Sequence, residues 1–274
     1  MRTTAAERTT RVAVLIIALL ITLVPLLALF LDSFKSNTDF FSGSPLPRQW
    51  SLQFYREAFS NSGGARYDLI NSISVAVATT VISVTLGTLA AFGMSRLRYR
   101  WVTWLMYLIL AVRFYPKITT VLPFYVMMRH LGLLDTVTAV VIAHVSITLP
   151  FVVLILSTFF REVPASLEEA SRLDGCTLWQ SFRHITLPLV RPALATSAIL
   201  TAMFSWNEFL IASSITSQRA TTLPVLVSSF ITDKGTQLGQ MSAVSVVIVV
   251  PIALFILATQ RYLVRGLTLG AVKE

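Results

Sequence analysis

The sequence predicts an all-α membrane protein that crosses the bilayer with about six helices. Of its 274 residues, 55% are hydrophobic and 13% are charged, whereas soluble domains carry about 25% charged residues. The mean hydropathy is +0.73, and several apolar runs reach the roughly 20 residues that span a bilayer. No polar stretch has the length of a soluble domain of about 100 residues, so we expect residues 1–274 to form one membrane domain.

The composition also argues against several classes of function. The phosphate-binding pattern G-x-x-x-x-G-K-[ST] does not occur, so ATP hydrolysis is not assigned to this chain. The single cysteine, Cys176, excludes an internal disulfide, and His130, His144 and His184 lack the spacing of a metal site. The formal charge of +9 fits membrane topology better than nucleic-acid binding, because basic residues flank the apolar runs.

The first predicted span is Val12–Leu31, which three arginines precede. An apolar run of this length exceeds the 7–15 residues of a signal-peptide core. We therefore expect an uncleaved span, with a kink at Pro25. A long polar loop follows, from Asp32 to Asp68.

The second predicted span runs from about Leu69 to Met94 and is rich in small residues, including Gly87 and Gly93. Because small residues let membrane helices approach closely, this helix is expected inside the bundle. A short basic turn, 96–100, then leads to the next span.

The remaining spans are interrupted by proline or by polar residues. The third covers roughly Trp101–Met128, and the fourth, after a brief turn, covers Thr136–Phe160. The fifth, Ala193–Ile215, precedes a polar loop, and the sixth runs from about Gly239 to Leu263. A tail, Val264–Glu274, ends the chain.

The distribution of basic residues predicts the orientation. An even number of spans puts both termini on one face, with thirteen of the 22 basic residues there and seven on the other face. Because the excess of Lys and Arg belongs in the cytoplasm, both termini are expected to be cytosolic. The thirteen are Arg2, Arg8, Arg11, Arg96, Arg98, Arg100, Arg161, Arg172, Arg183, Arg191, Arg261, Arg265 and Lys273.

A hydrophilic segment between the fourth and fifth spans, residues 161–192, is here called the elbow. Ser166 followed by Glu169 is a capping box, which predicts a helix starting at Leu167. Gly175 stands where a helix C-terminus favours a residue with positive φ. Thr177 followed by Gln180 is a second capping box. The pattern predicts two short helices joined at a glycine on the cytosolic membrane surface.

Ionisable residues inside spans are candidates for a transport pathway, because burying them costs roughly 2.5–3.5 kcal/mol on insertion scales. Arg113 and Tyr115 lie beside Pro116, which frees backbone groups that need a polar partner. Together with Asn207 and Glu208, they are expected to line the pathway. The alternative is that Arg113 pairs with Glu208, or reaches the interface, and serves only the fold. For Lys117 the structural interpretation is favoured.

The elbow carries a family signature. Glu169-Ala170-Ser171, then Gly175, then Ile185-Thr186-Leu187-Pro188 resembles the EAA loop of ABC-importer permeases, EAA-x3-G-x9-I-x-L-P. Serine replaces the second alanine, and it is small enough to pack there. The resemblance implies that the first elbow helix docks on a cytosolic ATPase and carries its motion into the membrane. The positions that it implicates are Glu168, Glu169, Ala170, Ser171, Asp174, Gly175, Ile185, Leu187 and Pro188.

Two further segments narrow the resemblance. Ser205-Trp206-Asn207-Glu208-Phe209-Leu210 is similar to the fifth-span segment of maltose-type carbohydrate permeases, and residues 260–273 are similar to the tail of the shorter permease of that pair. This implies the type I ABC-importer permease fold. It also implies that the tail, with Gly266 and Gly270, reaches into an ATPase dimer. The last external loop, residues 218–237, would reach an extracellular or periplasmic solute-binding protein.

The resemblance thus implies a non-catalytic permease subunit in a prokaryotic cytoplasmic membrane. It would import a carbohydrate or related polyol together with a second permease, an ATPase dimer and a binding protein, in contact with lipid. It would bind no cofactor itself, since ATP and Mg would belong to the ATPase. The alternatives are a secondary transporter driven by an ion gradient, which predicts discontinuous helices in a repeated bundle, and a membrane enzyme, which needs a compact catalytic cluster.

Overall fold

The computed structural model describes residues 5–60, 63–97, 99–233 and 235–269. Regular structure in these ranges is helical apart from one two-stranded hairpin. The helices of the first half are α1 (Ala5–Ser33), α2 (Asn37–Phe41), α3 (Gln53–Ala58), α4 (Ala65–Arg96), α5 (Arg100–Phe114), α6 (Lys117–His130) and α7 (Val137–Glu162). The later elements are α8 (Ala165–Leu173), α9 (Leu178–Ser181), a π-helical turn (Phe182–Thr186), α10 (Leu187–Leu189), α11 (Arg191–Trp206), α12 (Leu210–Ile215), α13 (Leu223–Ser229), β1 (Ile231–Thr232), β2 (Gly235–Thr236) and α14 (Leu238–Leu269).

Four described helices, α1, α4, α7 and α14, are each long and apolar enough to cross a membrane. The number rises to six if two sharply bent pairs each count as one span: α5 with α6, and the run Leu178–Leu189 with α11. The predicted all-α membrane fold with about six spans is therefore confirmed.

Two of the predicted spans are broken, however. The third consists of α5 and α6, which meet at an angle of 96°. Pro116 explains this break, since it cannot donate a helical hydrogen bond and forces the preceding Tyr115 into an extended conformation. The fifth predicted span ends at Trp206 and resumes as α12 after residues 207–209. The predicted span Ala193–Ile215 is therefore divided between two helices, α11 and α12.

The chain divides into two compact units, and the first comprises Met1–Tyr67 and Leu226–Pro251. Here α3 packs on the start of α14: a Cβ at Gly239 would overlap the ring of Phe54, so glycine permits this close contact. Gln240 Nε2 donates a 2.7 Å hydrogen bond to Glu57 Oε2 at the same place. The predicted loop 32–68 therefore contains ordered helices.

The second unit comprises Asp68–Val225 and Ile252–Glu274, and α7 lies in its core. Half of the most apolar stretch of α7 is buried, against 39% for that of α4. A Cβ at Gly87 of α4 would lie 2.6 Å from Val152 Cγ1 of α7, as expected for closely packed helices. Nothing lies within 4 Å of the corresponding point at Gly93. A Ser83–Thr148 hydrogen bond of 2.7 Å joins the same two helices.

Candidate functional site

The first helix of the elbow, α8, begins at Ala165, two residues earlier than predicted. Pro164 occupies the N-cap position with φ −58°, and no side chain caps the helix. The predicted Ser166–Glu169 capping box is therefore wrong. Because proline has no N–H to satisfy and its φ is already fixed, the helix can begin directly after it.

The other two local predictions for the elbow are confirmed. Gly175 has φ +87° and ends α8 in a Schellman arrangement, in which the Cys176 N–H donates to the Ser171 carbonyl and the Gly175 N–H to the Arg172 carbonyl, each at 3.0 Å. Thr177 and Gln180 form a reciprocal capping box at the start of α9. The two short helices are thus joined by a turn with a defined geometry.

Glu168 is the buried centre of the elbow. Its Oε1 accepts hydrogen bonds from Arg96 Nε at 2.8 Å, from Arg96 Nη2 at 2.6 Å and from Thr186 Oγ1 at 2.9 Å. These contacts link α8 to the end of α4 and to the π-helical turn. Sequence reasoning missed Arg96 and Thr186 as partners, because Arg96 stood out only as one member of a basic turn and the pairing spans 72 residues of the chain.

Ser171, which replaces the second alanine of the EAA pattern, forms a hydrogen bond through its hydroxyl. The buried Ser171 Oγ donates to Ser181 Oγ at 2.8 Å, which joins α8 to α9. Its Oγ also lies 2.8 Å from the Glu168 carbonyl. Serine therefore does more here than fit a small space, since it fixes the second elbow helix against the first.

The opposite side of the elbow is exposed. Leu173, at the end of α8, is 90% exposed, and Trp179 on α9 is 58% exposed. Of the other predicted coupling positions, three are partly buried and four are open to solvent. The partly buried ones are Ile185, Leu187 and Pro188, and the open ones are Glu169, Ala170, Asp174 and Gly175. Gly266 lies in the helical backbone of α14, and Gly270 lies outside the described residues.

The four predicted pathway residues lie around two helix breaks, one between α5 and α6 and one between α11 and α12. Arg113 and Tyr115 line a cavity of about 490 Å³ at the α5–α6 break. Asn207 and Glu208 line a second cavity, of about 460 Å³, at the α11–α12 break. A smaller cavity of about 40 Å³ is lined by both Arg113 and Glu208. Lys117, for which the structural interpretation was favoured, lines all three.

Glu208 is held by partners that the sequence did not suggest. Its carboxylate accepts hydrogen bonds from the backbone N–H groups of Ile211 and Ala212 at 3.1–3.2 Å, at the start of α12. Its Oε2 lies 3.4 Å from His144 Nε2, which makes no hydrogen bond of good geometry, while His144 Nδ1 is 2.8 Å from Ser205 Oγ. A carboxylate at a helix N-terminus is favourably placed.

Arg113 forms no salt bridge with Glu208 among the described residues, so the proposed pairing of these two is wrong. Its guanidinium instead lies over two aromatic rings, with 5.0 Å to the centroid of Phe151 and 5.3 Å to that of Phe204. Such cation–π contacts hold a cation in a partly apolar site.

A second set of polar contacts holds the loop after α12. Asp135 adopts φ +58° and its carboxylate accepts hydrogen bonds from the four backbone N–H groups of residues 217–220, at 2.9–3.2 Å. Desolvation alone would raise the pKa of Asp135, but these donors lower it to about 2. Asn71 Nδ2 donates to the carbonyls of Arg219 and Thr221. The start of the predicted external loop is therefore tied to two other segments.

Comparison with known proteins shows that this chain is similar to components of transport systems. The family described as "binding-protein-dependent transport system inner membrane component" matches residues 83–269. The trehalose transport system permease protein SugB of Mycobacterium tuberculosis is 37% identical over 254 residues, which cover 92% of each chain. The sulfoquinovosyl glycerol transport system permease protein SmoH of Agrobacterium fabrum is 34% identical over 228 residues, covering 83% of this chain and 80% of that one.

The fold also resembles a solved transporter. A bacterial ABC transporter involved in import of the acidic polysaccharide alginate contains a chain that matches with a TM-score of 0.82. The match covers 96% of this chain and 99% of the other, at 23% identity. At that identity the similarity concerns the fold.

Proposed function

Since the chain belongs to the family of binding-protein-dependent transport system inner membrane components, we propose that the cargo of this ABC-importer permease is a carbohydrate or related polyol. The chain is a transport subunit and not an enzyme, and ATP hydrolysis belongs to a separate subunit of such importers. SugB, named as a trehalose permease, and SmoH, named for sulfoquinovosyl glycerol, support this class of cargo. The cavities at the broken spans offer aromatic rings and hydrogen-bonding groups, which suit a polyol.

The pathway in this proposal follows the two helix breaks. Arg113, Tyr115, Asn207 and Glu208 line it, and Lys117 joins them because it borders all three cavities. Breaks in membrane helices are tolerated where the backbone lines a cavity or is buried in protein. Among the four, Tyr115 and Asn207 are exposed to the cavities and are positioned to contact cargo, while Glu208 fixes the start of α12.

The coupling surface in this proposal is the exposed side of α8. The observation that carries it is that one side of α8 is anchored through Glu168 and Ser171, while Glu169, Ala170 and Leu173 remain open to solvent. An ATPase dimer that binds ATP and Mg would dock on this open side. The tail after Leu263 would contact the same dimer.

The remaining partners follow from the membrane setting. Residues 1–274 form one multi-pass domain of a prokaryotic inner membrane, with both termini in the cytosol. Helix α1 keeps its apolar side chains exposed, so it contacts lipid or the second permease. A periplasmic or extracellular binding protein delivers cargo on the other face, where residues 218–237 meet it.

Reconstitution tests the proposed function. The chain would be coexpressed with its partner permease and ATPase, placed in liposomes and supplied with the matching binding protein. Uptake of radiolabelled trehalose, diacetylchitobiose and methionine would be measured with internal ATP and with an ionophore. We expect uptake of a carbohydrate that requires ATP and survives the ionophore.

Two results would contradict the proposal. Uptake by the purified chain alone, abolished by the ionophore, would favour the secondary transporter. If the importer took up methionine in an ATP-dependent manner and took up neither carbohydrate, the chain would still be an importer permease, but the proposed class of cargo would be wrong.

A further inference from the structure

We propose that Arg96 and Glu168 form the joint that carries movement of α8 into the membrane-spanning helices α4 and α7. The inference rests on the proposed function, because an ATPase moves α8 only if the chain works as an importer permease. Both residues act here as positioning residues that touch neither cargo nor nucleotide.

The first support is the way in which one guanidinium joins three helix ends. Arg96 is the last residue of α4, and its Nε and Nη2 both donate to Glu168 in the first turn of α8. Its Nη1 donates to the carbonyl of Phe160 at 2.8 Å. Phe160 lies in the last turn of α7, where carbonyls have no intrahelical donor. Only arginine offers such a fork of donors, so lysine cannot replace it fully.

The second support is a further bond from the same carboxylate. Thr186 Oγ1 donates to Glu168 Oε1 at 2.9 Å, and Thr186 lies in the π-helical turn before α10 and α11. Glu168 therefore connects α8 both with the preceding spans and with the following one. The side chain of Glu168 is 6% exposed and that of Arg96 is 20% exposed, so salt screens this pair less than a surface pair.

The third support is a cluster of three aromatic side chains, Phe92, Phe160 and Phe182, that packs next to Arg96. Phe92 lies 5.7 Å from the Arg96 guanidinium and contacts Phe160 and Phe182 with ring centroids 5.6 and 4.6 Å apart. Close-packed interfaces change between discrete arrangements and do not deform continuously. Displacement of α8 is therefore transmitted to α4 and α7 and is not absorbed locally.

Other charged residues beside the pair lack these connections. A groove of about 490 Å³ next to α8 is lined by Arg96 and also by Arg161 and Arg172. Within the described part of the chain, Arg161 and Arg172 form no salt bridge, and both are exposed. Arg161 thus provides a matched control: an arginine in the same groove, at the end of a span, without the joint.

The test compares uptake with ATP hydrolysis in the complete reconstituted importer. The variants are Arg96→Ala, Glu168→Gln and the double variant Arg96→Met/Glu168→Gln, with Arg161→Ala and Glu162→Gln as controls. The probe is trehalose, or the carbohydrate of the panel above that wild type imports. The readout is the amount of sugar imported per ATP hydrolysed, measured on complexes that retain the ATPase.

We expect this ratio to fall at least tenfold in the three joint variants and to stay within twofold of wild type in the controls. The double variant removes the joint without leaving an unpaired buried charge. It therefore distinguishes the loss of the joint from the cost of burying a single charge. If the double variant regains normal coupling, the pair only compensates a charge and the proposal is overturned. A proportional loss of hydrolysis and uptake would also overturn it, since the pair would then serve assembly.

A milder variant keeps the proposal testable if Arg96→Ala does not assemble. Arg96→Lys retains the charge but not the fork, so we expect a coupling ratio between those of wild type and Glu168→Gln. A normal ratio in Arg96→Lys would reject the joint. Failure of the proposed function would look different, because wild type itself would then show no ATP-driven uptake.

Discussion

At the scale of single residues, Ser171 shows that a residue which differs from the family motif can form a stabilising contact that the motif residue cannot form. In the EAA pattern this position is an alanine, which has no polar group. Here the serine hydroxyl is buried and donates to Ser181. A buried hydroxyl that loses its partner incurs a desolvation cost, so the two serines depend on each other.

Replacing Ser171 by alanine should therefore destabilise the elbow, although alanine matches the motif. We expect Ser171→Ala to lower stability by about 1–3 kcal/mol, because the Ser181 hydroxyl stays buried without its donor. The double variant Ser171→Ala/Ser181→Ala should recover part of this loss. Thermal unfolding of the purified complex measures both, with the exposed Ser166→Ala as the control. Equal melting temperatures for Ser171→Ala and Ser166→Ala would contradict the coupling.

Two substitutions at Gly175 separate the effect of backbone strain from the effect of a large side chain at the proposed ATPase interface. At φ +87° any side chain costs about 1–2 kcal/mol, but a Cβ there would meet nothing within 4 Å. Gly175→Ala should therefore reduce stability and retain most uptake. Gly175→Arg adds bulk to the proposed ATPase-facing side and should abolish uptake while ATP hydrolysis persists. Normal uptake by Gly175→Arg in the reconstituted importer would reject a close contact at this turn.

At the scale of elements, the two broken spans are what bring the candidate pathway residues together. The breaks at 115–116 and 207–209 place Tyr115 and Asn207 beside cavities. Glu208 stabilises the restarted helix through two backbone N–H groups. Discontinuous helices recur in other classes of transporter, so the breaks alone do not distinguish an importer permease from a secondary transporter.

The sequence predicted the elements well where the signal is local. Apolar runs located the spans, and the residues Gly175, Thr177 and Gln180 located the elbow turn, because caps depend on neighbours three or four positions away. It failed at Ser166, where Pro164 offered a competing start. It could not indicate the Arg96–Glu168 contact or the anchoring of residues 217–220 by Asp135, because those partners are distant in the chain.

Packing of α4 on α7 predicts a specific effect at Gly87. A Cβ at this position would lie 2.6 Å from Val152 Cγ1, so Gly87→Ala should destabilise the protein by about 1–3 kcal/mol through overpacking. Gly93→Ala, on the same helix with open space, should be neutral or slightly stabilising. Adding Val152→Ala to Gly87→Ala should cost less than the two single changes together, as judged by melting temperature. Additive losses would show that the two positions are not in contact.

The loop anchored by Asp135 should be sensitive to acid. The pKa of Asp135 is lowered to about 2 in the folded protein, below the roughly 3.9 of an unfolded chain. Its contribution to stability is therefore complete above about pH 4 and is lost as the pH falls towards 2. Asp135→Asn should melt below wild type at pH 7, and this difference should shrink between pH 4 and pH 2. A constant difference over that range would contradict the ionised anchor, and Glu162→Gln, which changes an exposed carboxylate, serves as the control.

At the scale of the whole molecule, the distribution of charge and the place of the elbow lead to the same orientation. In the predicted topology, the elbow and both termini lie on the face that carries the excess of arginine, and the positive-inside rule would assign that face to the cytosol. A cytosolic ATPase can then reach the exposed side of α8. The anchored side of α8 connects with the spans through Glu168, so mechanical work could pass inward from a partner that hydrolyses ATP.

Cross-linking from Leu173 tests this coupling most directly. Leu173 is 90% exposed at the end of α8, and Leu173→Cys in a Cys176→Ser background would carry a benzophenone maleimide in the assembled importer. We expect light to join this position to the ATPase subunit, with a yield that changes on ATP binding. Leu46→Cys should give no such product, because the predicted topology puts the polar loop 32–68 on the opposite face of the membrane. Labelling of Leu173→Cys by an impermeant maleimide from outside intact cells, or an assembled importer without the ATPase cross-link, would contradict the coupling.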